Sequence, residues 1–484
     1  LVAGLCRAYR NRGLSVRPFK PQNMSNNAAV TKDGGEIGRA QALQALAAGV
    51  GLSVHLNPVL LKPQSDCGAQ VVVQGLLEGT AEARDYHALK PKLLARVLDS
   101  FAIMAEDADL VLIEGAGSPA EVNLRAGDIA NMGFAEAAQV PVVLIADIER
   151  GGVLANIVGT VQLLDEIERA RLRGYIVNKF RGDIALFDDA HAIISERTGL
   201  DSFGTVPFFD AARLLPSEDS QSLVEPQKPG GAGATIKIAV LRLSRIANFD
   251  DLDPLSAEPD VEVRIVEPGS AVPGDTDVII IPGSKSTLAD LAQIKTQGWD
   301  LDITAHYRRG GWVVGLCGGY QILGRHVADP DGIEGRPGEA EGLGLLDIET
   351  IISGDKTLSE SRGIDIESGE AVKGYEMHIG ETSGAGLERP WLRLEDSVSG
   401  GRDDGAVSSD GRVRGTYLHG VFAADGFRHG FLAGLRPGRR EGVAYGAQVE
   451  ETLDALAAHL EQHLDLDALL AASSPVEPGI RATG

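Results

Sequence analysis

GWVVGLCGGYQILG, residues 311–324, decides the reading of this chain. Trp312, Val313 and Val314 begin a strand-like apolar run that ends in Gly315-Leu316-Cys317-Gly318-Gly319, and a helix-like segment follows. A strand that turns sharply into a helix through G-x-C-x-G is the thiol form of a nucleophile elbow. Small residues flank the sulfur because the turn is tight and a substrate must approach its backbone. The helix N-terminus beyond it favours a thiolate. The amide of Gly318 is placed to stabilise an oxyanion, and a second donor is expected after DVIIIPGS (277–284), at Gly283 or its neighbour Ser284. A thiolate of this kind needs a base, usually His. His419, at the end of the strand-like RGTYLHG (414–420), is preferred by position over His378 in GYEMHIG.

The elbow belongs to a series of apolar runs. IKIAVLRL (236–243), VEVRIVEP (261–268) and DVIIIPGS precede it. An earlier series comprises GLSVRPFKP (13–21), DLVLIEGAG (109–117), VPVVLIADI (140–148) and GYIVNKF (174–180). Continuous rather than alternating hydrophobicity predicts strands buried on both faces, hence parallel sheets covered by helices. IGRAQALQALAAG (37–49) is one such helix. Ligands of these sheets sit at the carboxyl ends of the strands, where Lys20, Glu114, Asp147 and Asn178 fall. EPQKPGGAGAT (225–235) reads as a linker, so the expected division is 1–224, 225–235 and 236–484, the last closing in a helical segment at 438–472.

Composition narrows the class. The chain has 484 residues, 43% apolar and 24% charged, enough for two or three packed domains. No run reaches the roughly 18–20 apolar residues of a membrane-spanning helix. A net charge of −24 repels nucleic acid, but a local basic pocket can still take an anionic small substrate. Three cysteines without a CxxC pair argue against a disulfide scaffold or zinc ribbon and suit a reducing cytoplasm.

Several long motifs carry a resemblance. PGSKST (282–287), GLCGGYQILG and GTYLHG resemble a class I glutamine amidotransferase domain of the cobyric acid synthase type. KPQNMSNNAAVTKDGGEIGRAQALQA (20–45), HLNPVLLKPQSD (55–66), VVVQG (71–75), IEGAGSPAEVNLRAGDIANMGFAE (113–136), ADIERGGVLANIVGT (146–160) and NKFRGD (178–183) extend it over nearly the whole chain. The resemblance implies an α/β protein: a P-loop-type, dethiobiotin-synthetase-like parallel-sheet domain, then a flavodoxin-like amidotransferase domain. It implies ATP and Mg²⁺, with Lys20 between the γ-phosphate and the acceptor carboxylate. It makes Glu114 and Glu36 metal ligands and Asn178 an adenine contact. It implies glutamine as the nitrogen source, attacked by Cys317 with help from His419.

The acceptor it implies is adenosylcobyrinic acid a,c-diamide, amidated at its b, d, e and g carboxylates, with Arg39, Asn123 and Arg125 as candidate contacts. The alternative is the sister enzyme that makes the a,c-diamide, or another amidotransferase of this type. A homo-oligomer stays open. Two departures stand out. Most class I amidotransferases carry an acid two residues after the His, and here that residue is Val421. GxxxxGK[ST] is absent, and PGSKST only imitates it; LVAGLCRAYRNRG resembles the helix that follows a phosphate loop, so a truncation before or within that loop is expected.

Overall fold

The computed structural model describes residues 1–63, 68–218, 236–354, 356–395, 400–440 and 442–476, without the side chains of 83–85 and 87. The expected linker 225–235 lies outside the described residues.

The apolar runs of the first half form parallel strands. Val16–Phe19 pairs with Leu110–Ile113, while Val142–Asp147, Leu172–Phe180 and Ser202–Pro207 form a second parallel set. The Ala/Gln-rich stretch is a helix, Arg39–Ala48, closed by Gly49 at φ +71°, a left-handed cap that suits glycine. A four-stranded sheet was not legible in the apolar pattern: Gln22–Met24, Val59–Pro63, Gly68–Val73 and Leu76–Glu82. The hairpin Ala28–Val30/Glu36–Gly38 forms a separate two-stranded sheet.

The second half is built on a six-stranded sheet. Its order is Val261–Val266, Ile236–Leu241, Val278–Ile281, Trp312–Leu316, Val413–Thr416 and Ala406–Val407, with only the last pairing antiparallel. Val278–Ile281 is buried throughout, as its unbroken apolar sequence requires. Each such side chain taken from water stabilises the fold by about 1.5–3 kcal/mol before entropy is charged against it. An antiparallel sheet lies alongside, in the order Arg402–Asp404, Leu392–Leu394, Thr357–Asp365, Ala371–His378 and Leu418–His419.

The two halves share a core. Ala28, Val30, Leu60 and Val72 of the first pack with Tyr375 and Met377 of the second. The chain also crosses back. The helix Tyr445–His463 was expected to close the second domain, but its apolar stripe of Val449, Leu453, Leu456, Ala457 and Leu460 is buried against Ala3, Leu5, Cys6 and Ala8 of the first helix. Among the described residues, no helix is long and apolar enough to cross a membrane.

Candidate active site

Cys317 caps the helix Gly318–Ile322 with φ +51° and ψ −109°, a conformation that costs a non-glycine residue about 1–3 kcal/mol. The surrounding backbone enforces it: Cys317 N–H donates to Thr416 O at 2.9 Å, and Gln321 N–H donates to Cys317 O at 3.1 Å. The flanking glycines are steric necessities. A Cβ on Gly319 would sit 1.9 Å from Ile281 O, and one on Gly315 would sit 2.6 Å from Gly319 O. The strand and helix can therefore close on each other only as glycines, which leaves the thiol at the mouth of a small pocket shared with Gly318, Ser284, Gln321, Lys285 and Lys356. Gln321 is fixed from three sides: its amide donates to Ile379 O and Tyr417 Oη and accepts from Thr287 Oγ1.

His419 lies close enough to Cys317 to feel its charge, while the Cys317 thiol itself donates to Met377 O at 3.6 Å. His419 pairs with Tyr375 in the antiparallel sheet, and the two rings stack at 5.3 Å. Its Nδ1 lies 2.7 Å from Asp251 Oδ2, and Asp251 Oδ1 accepts Gly420 N–H at 2.5 Å. Burial alone would lower the imidazole pKa, but the Asp251 carboxylate and then Cys317 outweigh it and raise it to about 10. The acid missing at Val421 is thus supplied by Asp251, from the short helix Phe249–Leu252. Asp251 did not stand out in the sequence. Its signal was the acid cluster in NFDDLDP (248–254), set between apolar residues rather than in a solvated run.

His378 also lines the pocket, but its ring stacks on Tyr417 at 3.7 Å. Burial, then His419 and Arg402, push it down to about 4, and among the described residues its Nδ1 has no hydrogen-bond partner. The structure brings an acid to His419 and not to His378.

The backbone beside Gly318 differs by one residue from the expected Gly283. Gly283 pairs with Ala247 and Ser284 with Ile246, while Lys285 N–H donates to Arg245 O. Alternation along an antiparallel pair then turns the Gly283 amide toward Ala247 and the Ser284 amide outward. A Cβ on Gly318 would lie 3.0 Å from Ser284 N, while one on Gly283 would meet Ala247 O and the His419 ring. Ser284, not Gly283, faces Gly318.

In the first domain, Lys20 follows the strand Val16–Phe19 and is buried. Its Nζ bonds Glu114 Oε1 at 2.9 Å and Glu218 Oε1 at 3.3 Å. Burial works against its charge, but the two carboxylates prevail and raise its pKa. Glu114 also accepts from Gln44 Nε2 at 2.5 Å. Asn178 and Asp147 pair in register at neighbouring strand ends, with Asp147 held by Lys179 at 2.9 Å.

Three expectations are corrected. Glu36 is fully buried between Lys62, at 2.5 Å, and Lys356 of the second domain. Burial would push its carboxyl up, yet the two ammonium groups hold it well below the usual range. Both its oxygens are engaged by cations, so it is unsuited to bind a metal, and it belongs to a different cluster from Glu114. Arg39 is bound to Asp250 Oδ2 at 2.7 Å and lies over the Tyr375 ring, rather than open to an acceptor. Arg125 is taken by Glu136 and Glu168, while Asn123 remains exposed.

Known proteins match both halves. Residues 1–223 match the CobQ/CobB/MinD/ParA nucleotide-binding domain, and residues 237–427 match the CobB/CobQ-like glutamine amidotransferase domain. A cobyric acid synthase of Rhodobacter capsulatus is 58% identical over 471 residues, covering 97% of this chain and 96% of that protein. One of Methylocella silvestris is 58% identical over 474 residues, covering 98% and 97%. The chain belongs to the cobyric acid synthase family. It is an amide-forming ligase of cobalamin biosynthesis, with a nucleotide-binding domain ahead of a glutamine amidotransferase domain. Among solved structures, PurLQS from Thermotoga maritima aligns with 45% of this chain and 97% of its own at 19% identity and a TM-score of 0.30.

Proposed function

We propose that this chain transfers glutamine nitrogen to the b, d, e and g carboxylates of adenosylcobyrinic acid a,c-diamide, at the expense of ATP. The observation that carries the glutamine half is the buried Cys317–His419–Asp251 arrangement at an interdomain pocket. His419 holds the proton of Cys317 as an imidazolium, and the sulfur attacks the glutamine amide carbon as the thiolate. The amides of Gly318 and Ser284 hold the oxyanion. The C–N bond then breaks, His419 returns the proton to the leaving nitrogen, and ammonia departs. Water enters the thioester with His419 as base, releasing glutamate and restoring the thiol. Asp251 keeps the Nδ1–H of His419 in place through both halves.

In the first domain, the acceptor carboxylate attacks the γ-phosphorus and ADP leaves. Ammonia then displaces phosphate from the acyl phosphate. Activation is needed because a carboxylate is a poor electrophile. Lys20, at a strand end between two carboxylates, is suited to bridge the phosphate and the acceptor. Glu114, at the neighbouring strand end, has Lys20 on Oε1 and Gln44 on Oε2, so it would hold a Mg²⁺ ion that neutralises the phosphates only by releasing one of these contacts. Gln70 of the first domain lines the Cys317 pocket, so ammonia is released against that domain and a protected path can start there. Cys6 and Cys317 are free thiols, which suits a reducing cytoplasm.

Cys317→Ala tests the reading, with product mass counting new amides. Amidation from glutamine is expected to vanish while amidation from ammonium persists. Survival of the glutamine reaction would remove Cys317 as nucleophile, and an unchanged corrinoid in wild type would remove this acceptor.

A further inference from the structure

A side chain of the first domain reaches the back of the amidotransferase triad. Arg39 opens the helix Arg39–Ala48, directly after the hairpin strand Glu36–Gly38. Its guanidinium donates to Ala28 O at 3.0 Å within its own domain, and its Nη2 lies 2.7 Å from Asp250 Oδ2 across the interface. The same group lies 4.9 Å from the centroid of the Tyr375 ring. Tyr375 in turn donates its hydroxyl to Asp250 Oδ1 at 3.2 Å and stacks on His419. Asp250 immediately precedes Asp251, the residue that bonds His419 Nδ1. Arg39 therefore grips both supports of the His419 ring: the turn that carries Asp251 and the aromatic plate beneath it. The interface is continued by Ala28 N–H, which donates to Asn248 Oδ1 at 3.4 Å on the same turn.

Charge explains why a cation is required at this point. Asp250, Asp251 and Asp253 are crowded on one short segment, and Asp253 Oδ2 has no hydrogen-bond partner among the described residues. Adjacent buried carboxylates repel, and without a counter-charge the turn opens or takes up a proton. A guanidinium meets the need with a planar fork that can pair a carboxylate and cover a ring at once.

We propose that Arg39 of the nucleotide-binding domain is a positioning residue for glutamine hydrolysis in the amidotransferase domain. Through Asp250 and Tyr375 it holds the Asp251 turn and the His419 ring in line with Cys317. The proposal rests on the triad reading above. It makes glutamine hydrolysis depend on how the nucleotide-binding domain is seated, although Arg39 lies outside the glutamine pocket.

The test uses the full chain and an electrophilic glutamine analogue that alkylates Cys317, so that glutamate release is expressed per titrated thiol. Arg39→Met is expected to lower kcat for glutamine hydrolysis by about tenfold or more with KM for glutamine within about twofold, the signature of a group that does not touch substrate. Arg39→Lys keeps the charge but not the planar fork, and is expected to recover part of the loss. Arg39→Met combined with Asp250→Asn removes the uncompensated charge. Its melting temperature should return toward wild type, while kcat per titrated thiol stays low because the tether is still absent. Recovery of kcat together with stability would overturn the proposal, as would an unchanged kcat in Arg39→Met or an effect on KM alone. If Arg39→Met does not fold, the double variant carries the same criterion. Failure of the analogue to label Cys317 in wild type would instead bring down the triad reading itself.

Discussion

Asp251→Asn is the substitution with the most to say about the amidotransferase half. Asp251 accepts the Nδ1–H of His419 at 2.7 Å and the amide of Gly420 at 2.5 Å. Asn can still accept from Gly420, but it then presents an NH₂ group to Nδ1. The ring must respond by carrying its proton on Nε2, and in that tautomer it cannot take the proton of Cys317. The electrostatic loss acts in the same direction. Burial opposes the imidazolium, and Asp251 is the leading group that raises its pKa from 6.5 to about 10. Some of that rise survives the substitution through Cys317 and Asp250, so kcat for glutamine hydrolysis should fall by about 10²–10³-fold rather than by the full amount. Glutamate release, measured beside ammonium-supported amidation, separates this from general damage, because the ammonium reaction should stay within about twofold. Stability supplies a second reading. His419 is raised in the folded state, so its contribution is complete below about pH 6.5 and is lost as pH rises through about 10. Wild type should lose stability toward alkaline pH over that window, and Asp251→Asn should lack this component. A variant that hydrolyses glutamine within about threefold of wild type would refute the assigned role of Asp251.

Glu36→Gln leaves Lys62 and Lys356 facing each other without their shared anion, and should cost about 3 kcal/mol in a urea titration. The Mg²⁺ dependence of the ligase should be unaffected, since Glu36 is committed to lysines; a shifted Mg²⁺ requirement would restore it as a ligand. Gly319→Ala places a Cβ 1.9 Å from Ile281 O, a backbone atom that cannot step aside. Denaturation should show a loss of about 3 kcal/mol or more, with slowed alkylation of Cys317, and a variant as stable as wild type would contradict the elbow packing.

The parts of the molecule that were legible in the sequence were those governed by local geometry. A buried parallel strand needs an unbroken apolar run, and Val278–Ile281 and Trp312–Leu316 have one. A tight elbow needs glycine where backbones touch, so Gly315, Gly318 and Gly319 marked Cys317 without a structure. His419 stood out by the same logic, as a candidate base at a strand end, and its Nδ1 lies 2.7 Å from Asp251. What was hidden were partners chosen by the tertiary fold. Asp251 reaches His419 across 168 residues, from a short helix with no useful periodicity. Glu36 was a candidate ligand through the resemblance, as a carboxylate of the kind Mg²⁺ needs near phosphates. Its true partners come from a neighbouring strand and, with Lys356, from 320 residues away. The stripe on Tyr445–His463 declared that the helix needed an apolar partner, but not that the partner was the first helix of the chain.

Those hidden contacts have a common feature: Arg39–Asp250 and Glu36–Lys356 both cross between the domains, one behind His419 and one at the rim of the Cys317 pocket. Their burial makes them poor devices for stability, since desolvation cancels much of what a buried ion pair gains. They are better devices for register, because a misplaced partner leaves a charge unpaired in a dry interface. Apolar contact among Ala28, Val72, Tyr375 and Met377 could hold the domains together in more than one orientation. Two ion pairs on opposite flanks of the thiol select one. That choice has chemical value, because ammonia set free before the domains are aligned would meet water, be protonated and lose its nucleophilicity.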